Sequence, residues 1–96
     1  MENKEAYRKK LEAQMREWSA KIDLLKARAD QAEAEAKIEY RNRIEDLRKK
    51  RAVLQEKLNE LKKASDAAWK DIKVGTERAA TDLRDALQSA FSKFKQ

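Results

Sequence analysis

The sequence predicts an all-α protein: a long-helix coiled coil, arranged as a helical hairpin or an extended helix and completed by self-association. Three observations predict it. A thin apolar stripe runs from position 11 to position 61 with no Gly, no Pro and no turn cluster. Charged residues make up 44% of the chain and aromatic residues 6%, a mix dominated by Ala, Glu, Lys, Leu and Arg that suits a long helix better than a globular core. Acid-before-base pairs four residues apart recur along the polar faces (Glu5 and Lys9, Glu12 and Arg16, Glu17 and Lys21, Glu33 and Lys37, Glu39 and Arg43, Glu45 and Lys49, Asp46 and Lys50). Each such pair supports an isolated helix by about 0.2–0.5 kcal/mol.

The stripe consists of Leu11, Met15, Trp18, Ile22, Leu25, Ala29, Ala32, Ala36, Tyr40, Ile44, Leu47, Arg51, Leu54, Leu58 and Leu61. Its steps alternate four and three, as in a heptad repeat, except between Ala32 and Ile44, where three steps of four follow one another. Ten steps cover the 36 residues from Leu11 to Leu47, the period of a straight helix. About two positions in seven are apolar, a narrow seam of the coiled-coil kind rather than the broad face of a globular helix.

Along the chain, Asn3 is placed to cap a first helix, with Glu5 in its first turn. Tyr7 lies one turn before Leu11. Positions 27–36 are rich in Ala (Ala27, Ala29, Ala32, Ala34, Ala36), which favours helix and leaves small residues on the seam. Arg51 interrupts the apolar seam; its stem is long enough to lie along it while the guanidinium reaches water. The chain thus divides into a long coiled-coil helix over 1–64 and an amphipathic C-terminal helix over 65–96, packed on the first or continuous with it. Ser65 or Asp66 offers one break as a cap. The only Gly, Gly75, followed by Thr76 and Glu77, offers another. The stripe passes both in phase, so an unbroken helix is the third alternative. The last segment carries Trp69, Ile72, Ala79, Leu83, Leu87, Phe91 and Phe94 on a wider face.

A 30-residue C-terminal helix, about 45 Å long, cannot cover the whole long helix. The stripe from Leu11 to Leu25 is then left exposed, and an exposed apolar strip marks an interface. The expected partner is a second copy, in a dimer, a tetramer or an open filament. The expected self-association residues are Leu11, Met15, Trp18, Ile22, Leu25, Tyr40, Ile44, Leu47, Leu54, Leu58, Leu61, Trp69, Ile72, Leu83, Leu87, Phe91 and Phe94.

At 96 residues the chain is one domain or less. It contains no Cys and no His, which removes thiolate metal sites and the commonest general base and metal ligand. No cofactor and no catalytic residue is expected: the abundant carboxylates, such as Glu33, Glu35 and Glu39, lack the Glu-x-x-His pattern of a di-iron bundle. The charged opening Met-Glu-Asn-Lys-Glu predicts no secretory signal, and no run approaches membrane-spanning length. The expectation is a cytoplasmic protein.

The chain resembles a group of short bacterial coiled-coil proteins, some labelled stress-response proteins. The resemblance lies in Glu5-Ala6-Tyr7, Leu11-Glu12-Ala13-Gln14, Glu17-Trp18, Ala29-Asp30-Gln31-Ala32-Glu33-Ala34, the stretch from Leu58 through Lys62-Lys63-Ala64-Ser65-Asp66 to Trp69, and Phe91-Ser92-Lys93-Phe94-Lys95. Where members of the group often carry Gly beside the Ser of the second break, this chain has Asp66. The resemblance implies a bacterial, cytoplasmic helical protein with a stress-related role and no established catalytic residues.

Three function classes follow. The first is a self-associating structural or interaction protein. The second is membrane-surface binding through the C-terminal amphipathic helix, where Trp and Phe share one face and Lys73, Arg78, Arg84, Lys93 and Lys95 flank it. The third is nucleic-acid binding through the basic middle: residues 37–64 hold ten basic and five acidic side chains, including Arg41, Arg43, Arg48, Lys49, Lys50, Arg51, Lys62 and Lys63. The net charge of +6 is concentrated there. However, Arg48-Lys49-Lys50-Arg51 point about 100° apart on a helix and form no single patch. Nor does the near-cancellation of charge in the C-terminal segment favour a membrane, and core packing is the ordinary use of a helical apolar stripe.

Overall fold

Three helices, α1 (Lys4–Asp30), α2 (Ala34–Lys63) and α3 (Trp69–Lys93), run up, down and up in a bundle of 51 × 18 × 17 Å. The computed structural model describes residues 3–94, and among these there is no strand. The protein is all-α, as its apolar period requires.

α1 begins as expected. The Asn3 side-chain oxygen accepts from the Ala6 N–H at 2.8 Å, which satisfies one of the free donors at the helix start. The expected single helix over 1–64 is corrected: it is two helices, parted at Gln31-Ala32-Glu33. Gln31 closes α1 by donating to the Ala29 and Arg28 carbonyls. Glu33 opens α2 with extended backbone (φ −69°, ψ 161°) and no side-chain cap bond. Magnitudes explain the break. Interrupting the helix forfeits three or four backbone bonds, at about 0.5–1.5 kcal/mol net each. Folding back buries Leu11, Met15, Trp18, Ile22 and Leu25, and each large apolar side chain returns about 1.5–3 kcal/mol. The break falls where the seam holds only Ala, so little packing is lost there. It also falls in the run of three four-residue steps: Ala36 is exposed, and the α2 seam starts at Tyr40.

The second break lies at Ser65, the first of the three alternatives. Ala64 leaves the helix with extended backbone (φ −71°, ψ 146°). The Ser65 hydroxyl accepts from the Ala68 N–H at 3.2 Å, and its carbonyl accepts from Ala68 and Trp69 at 3.1 and 3.0 Å. Lys4 of α1 reaches across to this turn and donates to the Ala64 carbonyl at 2.8 Å and the Lys62 carbonyl at 3.3 Å. A cation thus sits on the C-terminal carbonyls of α2, where the helix dipole favours it. The other two alternatives are corrected: α3 runs through Gly75 without interruption, Gly75 not adopting positive φ, and the break between Lys63 and Trp69 rules out one unbroken helix. Thr76 beside Gly75 is fully buried and its hydroxyl donates to the Ile72 carbonyl at 2.9 Å.

Each helix turns its stripe inward. Tyr7, Leu11, Met15, Trp18, Ile22, Leu25 and Ala29 of α1 meet Tyr40, Ile44, Leu47, Leu54, Leu58 and Leu61 of α2 and Trp69, Ala79, Ala80, Leu83, Leu87 and Ala90 of α3 in one core. Arg51 is half-buried on this seam, as a snorkelling side chain should be. Of the expected intrahelical pairs, Lys21–Glu17 (3.8 Å) and Lys50–Asp46 (3.6 Å) form. Glu5 and Glu12 instead share Arg8, at 2.6 and 2.9 Å, and Glu39 bridges to Lys93 of α3 at 3.3 Å.

Candidate functional site

The residues expected to mediate self-association are brought together, but inside one chain. Leu11, Met15, Trp18, Ile22, Leu25, Tyr40, Ile44, Leu47, Leu54, Leu58, Leu61, Trp69, Leu83 and Leu87 are buried, and Ile72, Phe91 and Phe94 are half-buried against them. The premise that Leu11 to Leu25 stays exposed in a single chain is therefore corrected: Trp18 is only 8% accessible, because α1 folds back along α2.

Aromatic groups close both ends of the bundle. At one end Tyr7 and Trp69 lie 6.2 Å apart with rings tilted by 41°, and the Lys73 ammonium sits 5.1 Å from the Tyr7 ring centre and 5.9 Å from that of Trp69. At the other, Tyr40 stacks on Phe94 at 3.8 Å, and the Arg28 guanidinium stands 5.4 Å over Phe91. Such cation–aromatic contacts contribute about 0.5–1 kcal/mol each at partly exposed sites. These contacts serve the bundle and are not exposed as a recognition surface.

The open surface lies between α1 and α3. Both pack closely on α2, and they touch each other far less. Two concavities occupy this seam. One of 200 Å³ is lined by Tyr7, Lys10, Leu11, Gln14, Trp18, Glu77, Ala80, Thr81 and Arg84. The other, of 260 Å³, is lined by Trp18, Lys21, Leu24, Arg84, Leu87, Gln88 and Phe91. They share Trp18 and Arg84, so they form one trough along the seam. From Tyr7 to Leu24 it spans about 25 Å at 1.5 Å per residue. The part at Leu24 and Phe91 is apolar and open, with Leu24 46% accessible and Phe91 half-buried; the part at Tyr7 presents mainly polar side chains over the buried Tyr7, Leu11, Trp18 and Ala80.

The trough was only partly legible in the stripe. Trp18, Leu87 and Phe91 belong to it, whereas Leu24, Gln14, Arg84 and Gln88 do not. Leu24, a second large apolar residue beside Leu25, lies off the seam and signals apolar surface on this face, as Ile38, Val53 and Val74 do on others. Further concavities, of 510 Å³ on the α1–α2 side and 670 Å³ at the α1–α2 turn, have walls made chiefly of polar and small side chains.

The basic middle does not converge. Arg41, Arg48, Lys49, Lys62 and Lys63 are exposed and Arg43, Lys50 and Arg51 half-buried, and helical rotation spreads them over both flanks and the back of α2. Among the described residues no group of three or more carboxylates could hold a metal ion. On the surface of α1 the hydrogen bond from Arg8 holds the Glu5 carboxyl below its ordinary range, and the same contact raises Arg8. No helix among the described residues is long and apolar enough to cross a membrane. Comparisons with protein-family models, curated proteins and solved structures return no significant match.

Proposed function

We propose that the protein is a helical interaction module, a self-sufficient three-helix bundle that works by presenting the α1–α3 face to a partner rather than by catalysis. The observation that carries this reading is the apolar trough of Trp18, Leu24, Leu87 and Phe91 at the least tightly packed seam. The long stripe is used up within the chain and gives the module its rigidity. A cytoplasmic location and a stress-related role accord with this reading through the resemblance alone.

The test is a photo-crosslinking residue placed at Gln14 or Gln88 on the trough rim, against the same residue at Asn42 or Glu56 on exposed positions of α2. Discrete adducts from the trough positions, and none from α2, are expected. Adducts of equal yield at all four positions would refute the reading.

Self-association is the second reading, favoured by Leu24 and Phe91, which two copies meeting face to face would cover. Light scattering across concentration separates the two: a single-chain mass throughout supports a module for other partners, and a discrete dimer supports self-association. Membrane binding needs the face of α3 that carries Trp69, Leu83 and Leu87, which is buried; flotation with anionic vesicles tests whether the bundle opens to expose it.

A further inference from the structure

We propose, building on the interaction-module reading, that the α1–α3 trough docks an acidic amphipathic helix of another protein and so completes a four-helix bundle. Three features of the trough specify this occupant.

The first is shape. A groove about 25 Å long between two parallel helices matches an inserted helix of four to five turns, roughly 16–18 residues. Apolar side chains at i, i+3, i+4 and i+7 of such a helix would lie along this seam and cover Leu24 and Phe91, above a floor of Leu11, Trp18, Ala80 and Leu87 that already belongs to the core. Ala80 is the small residue of the lining, and Leu24 and Phe91 line the far end.

The second is charge. Lys10, Lys21 and Arg84 line the two walls. Glu77 is the one carboxylate of the lining and pairs with Lys73 at 3.9 Å; Glu17 and Asp85 stand outside it, 3.8 Å from Lys21 and 3.3 Å from Arg84. The rim is therefore net positive, on a chain of formal charge +6. A second copy of this chain would bring like charge to like charge, which is costly at an interface. An acidic helix would meet Lys10 and Lys21 on one side and Arg84 on the other. Arg84 supplies a planar fork suited to carboxylates.

The third is the polar pattern of the rim. Gln14, Thr81 and Gln88 alternate with the charges, and polar side chains of this kind hydrogen-bond a neighbouring helix without the desolvation cost of a charge. The trough thus has the apolar centre and polar rim of a binding surface.

The experiment uses the intact protein and two synthetic helical peptides with one apolar face, differing only in having Glu or Lys on the flanks. Backbone amide shifts are followed by NMR. Binding of the Glu peptide, with shifts confined to residues 10–28 and 77–91 and affinity at least about tenfold above the Lys peptide, is expected. The variant Lys10→Glu, Lys21→Glu, Arg84→Glu changes only exposed side chains and should reverse this preference while leaving the helical circular dichroism unchanged. Equal binding of both peptides in the trough would overturn the acidic specificity and leave the module reading standing. Binding of neither peptide, with crosslinks from Gln14 and Gln88 absent, would remove both. Shifts of the same residues on raising the protein concentration alone would show a second copy as the occupant and overturn the proposal.

Discussion

Replacing Gly75 by Ala should stabilise the protein by about 0.5–1 kcal/mol. Gly75 lies inside α3, which is continuous from Trp69 to Lys93, and its φ is not positive. A methyl group added there would meet the Lys57 Cε at 3.9 Å, an ordinary van der Waals contact with the far part of a flexible side chain. Nothing in the folded state opposes the substitution, and the unfolded chain loses freedom. With a urea m-value of roughly 1–1.5 kcal/mol/M for a chain of this size, the midpoint should rise by about 0.3–1 M. The thermal midpoint should rise by about 2–8 °C. Circular dichroism in urea and on heating reads both. The sign is the decisive part. If Gly75 ended a helix in the left-handed conformation, Ala would cost stability, so a destabilised Gly75→Ala would refute the continuous α3. Gly75→Pro provides the complement: inside a helix it should cost about 3 kcal/mol or more, whereas at a helix end it would be tolerated.

Trp18→Ala should cost about 3–5 kcal/mol of stability with the single-chain mass unchanged; a change in mass without a loss of stability would return Trp18 to an intermolecular interface. Lys4→Ala should cost about 1 kcal/mol, since it removes a cation from the Ala64 and Lys62 carbonyls, and hydrogen exchange should quicken first at the start of α3; unchanged exchange there would mean that the contact does not hold the turn. Glu5 should titrate below the ordinary glutamate pKa of about 4.3 and return to it in Arg8→Ala, as followed by carboxyl carbon shifts. Because the folded-state pKa is lowered, the contribution of this contact is fully present above the ordinary value and is lost as pH falls through the lowered one. Titration of Glu5 at the ordinary value in the unaltered protein would refute the Arg8 contact.

The helices and their inward faces were legible in the sequence because a period near 3.6 leaves little choice of which side chains are buried. The turn at Ser65 was one of three alternatives left open, and its local signal is a hydroxyl that accepts from the backbone. The turn at Gln31-Ala32-Glu33 was not legible. It carries no Gly, no Pro and no capping box, and Ala favours helix on either side of it. Its one trace was the lengthened spacing through Ala32, Ala36 and Tyr40, which marks the change from one seam to the next. Gly75 misled in the opposite direction: its punctuating value comes from positive φ, and here the backbone stays helical. Missing the first turn left Leu11 to Leu25 without an intramolecular partner, and the expectation of self-association followed from that. The trough needs knowledge of which flanks of α1 and α3 face each other. That depends on both turns together, so of its lining only the floor residues on the stripe could be found beforehand.

The odd number of helices has a mechanical consequence. Asn3 lies beside the turn after α2, where Lys4 holds the Ala64 carbonyl, whereas Phe94 lies at the opposite pole against Tyr40. Tension applied between these two points runs along the 51 Å axis and slides the helices past one another instead of peeling them apart. Many side chains along both seams then resist at once, and extension under load should begin as a cooperative rupture rather than a gradual unzipping. An even-numbered bundle, with both points at one pole, would yield one helical turn at a time.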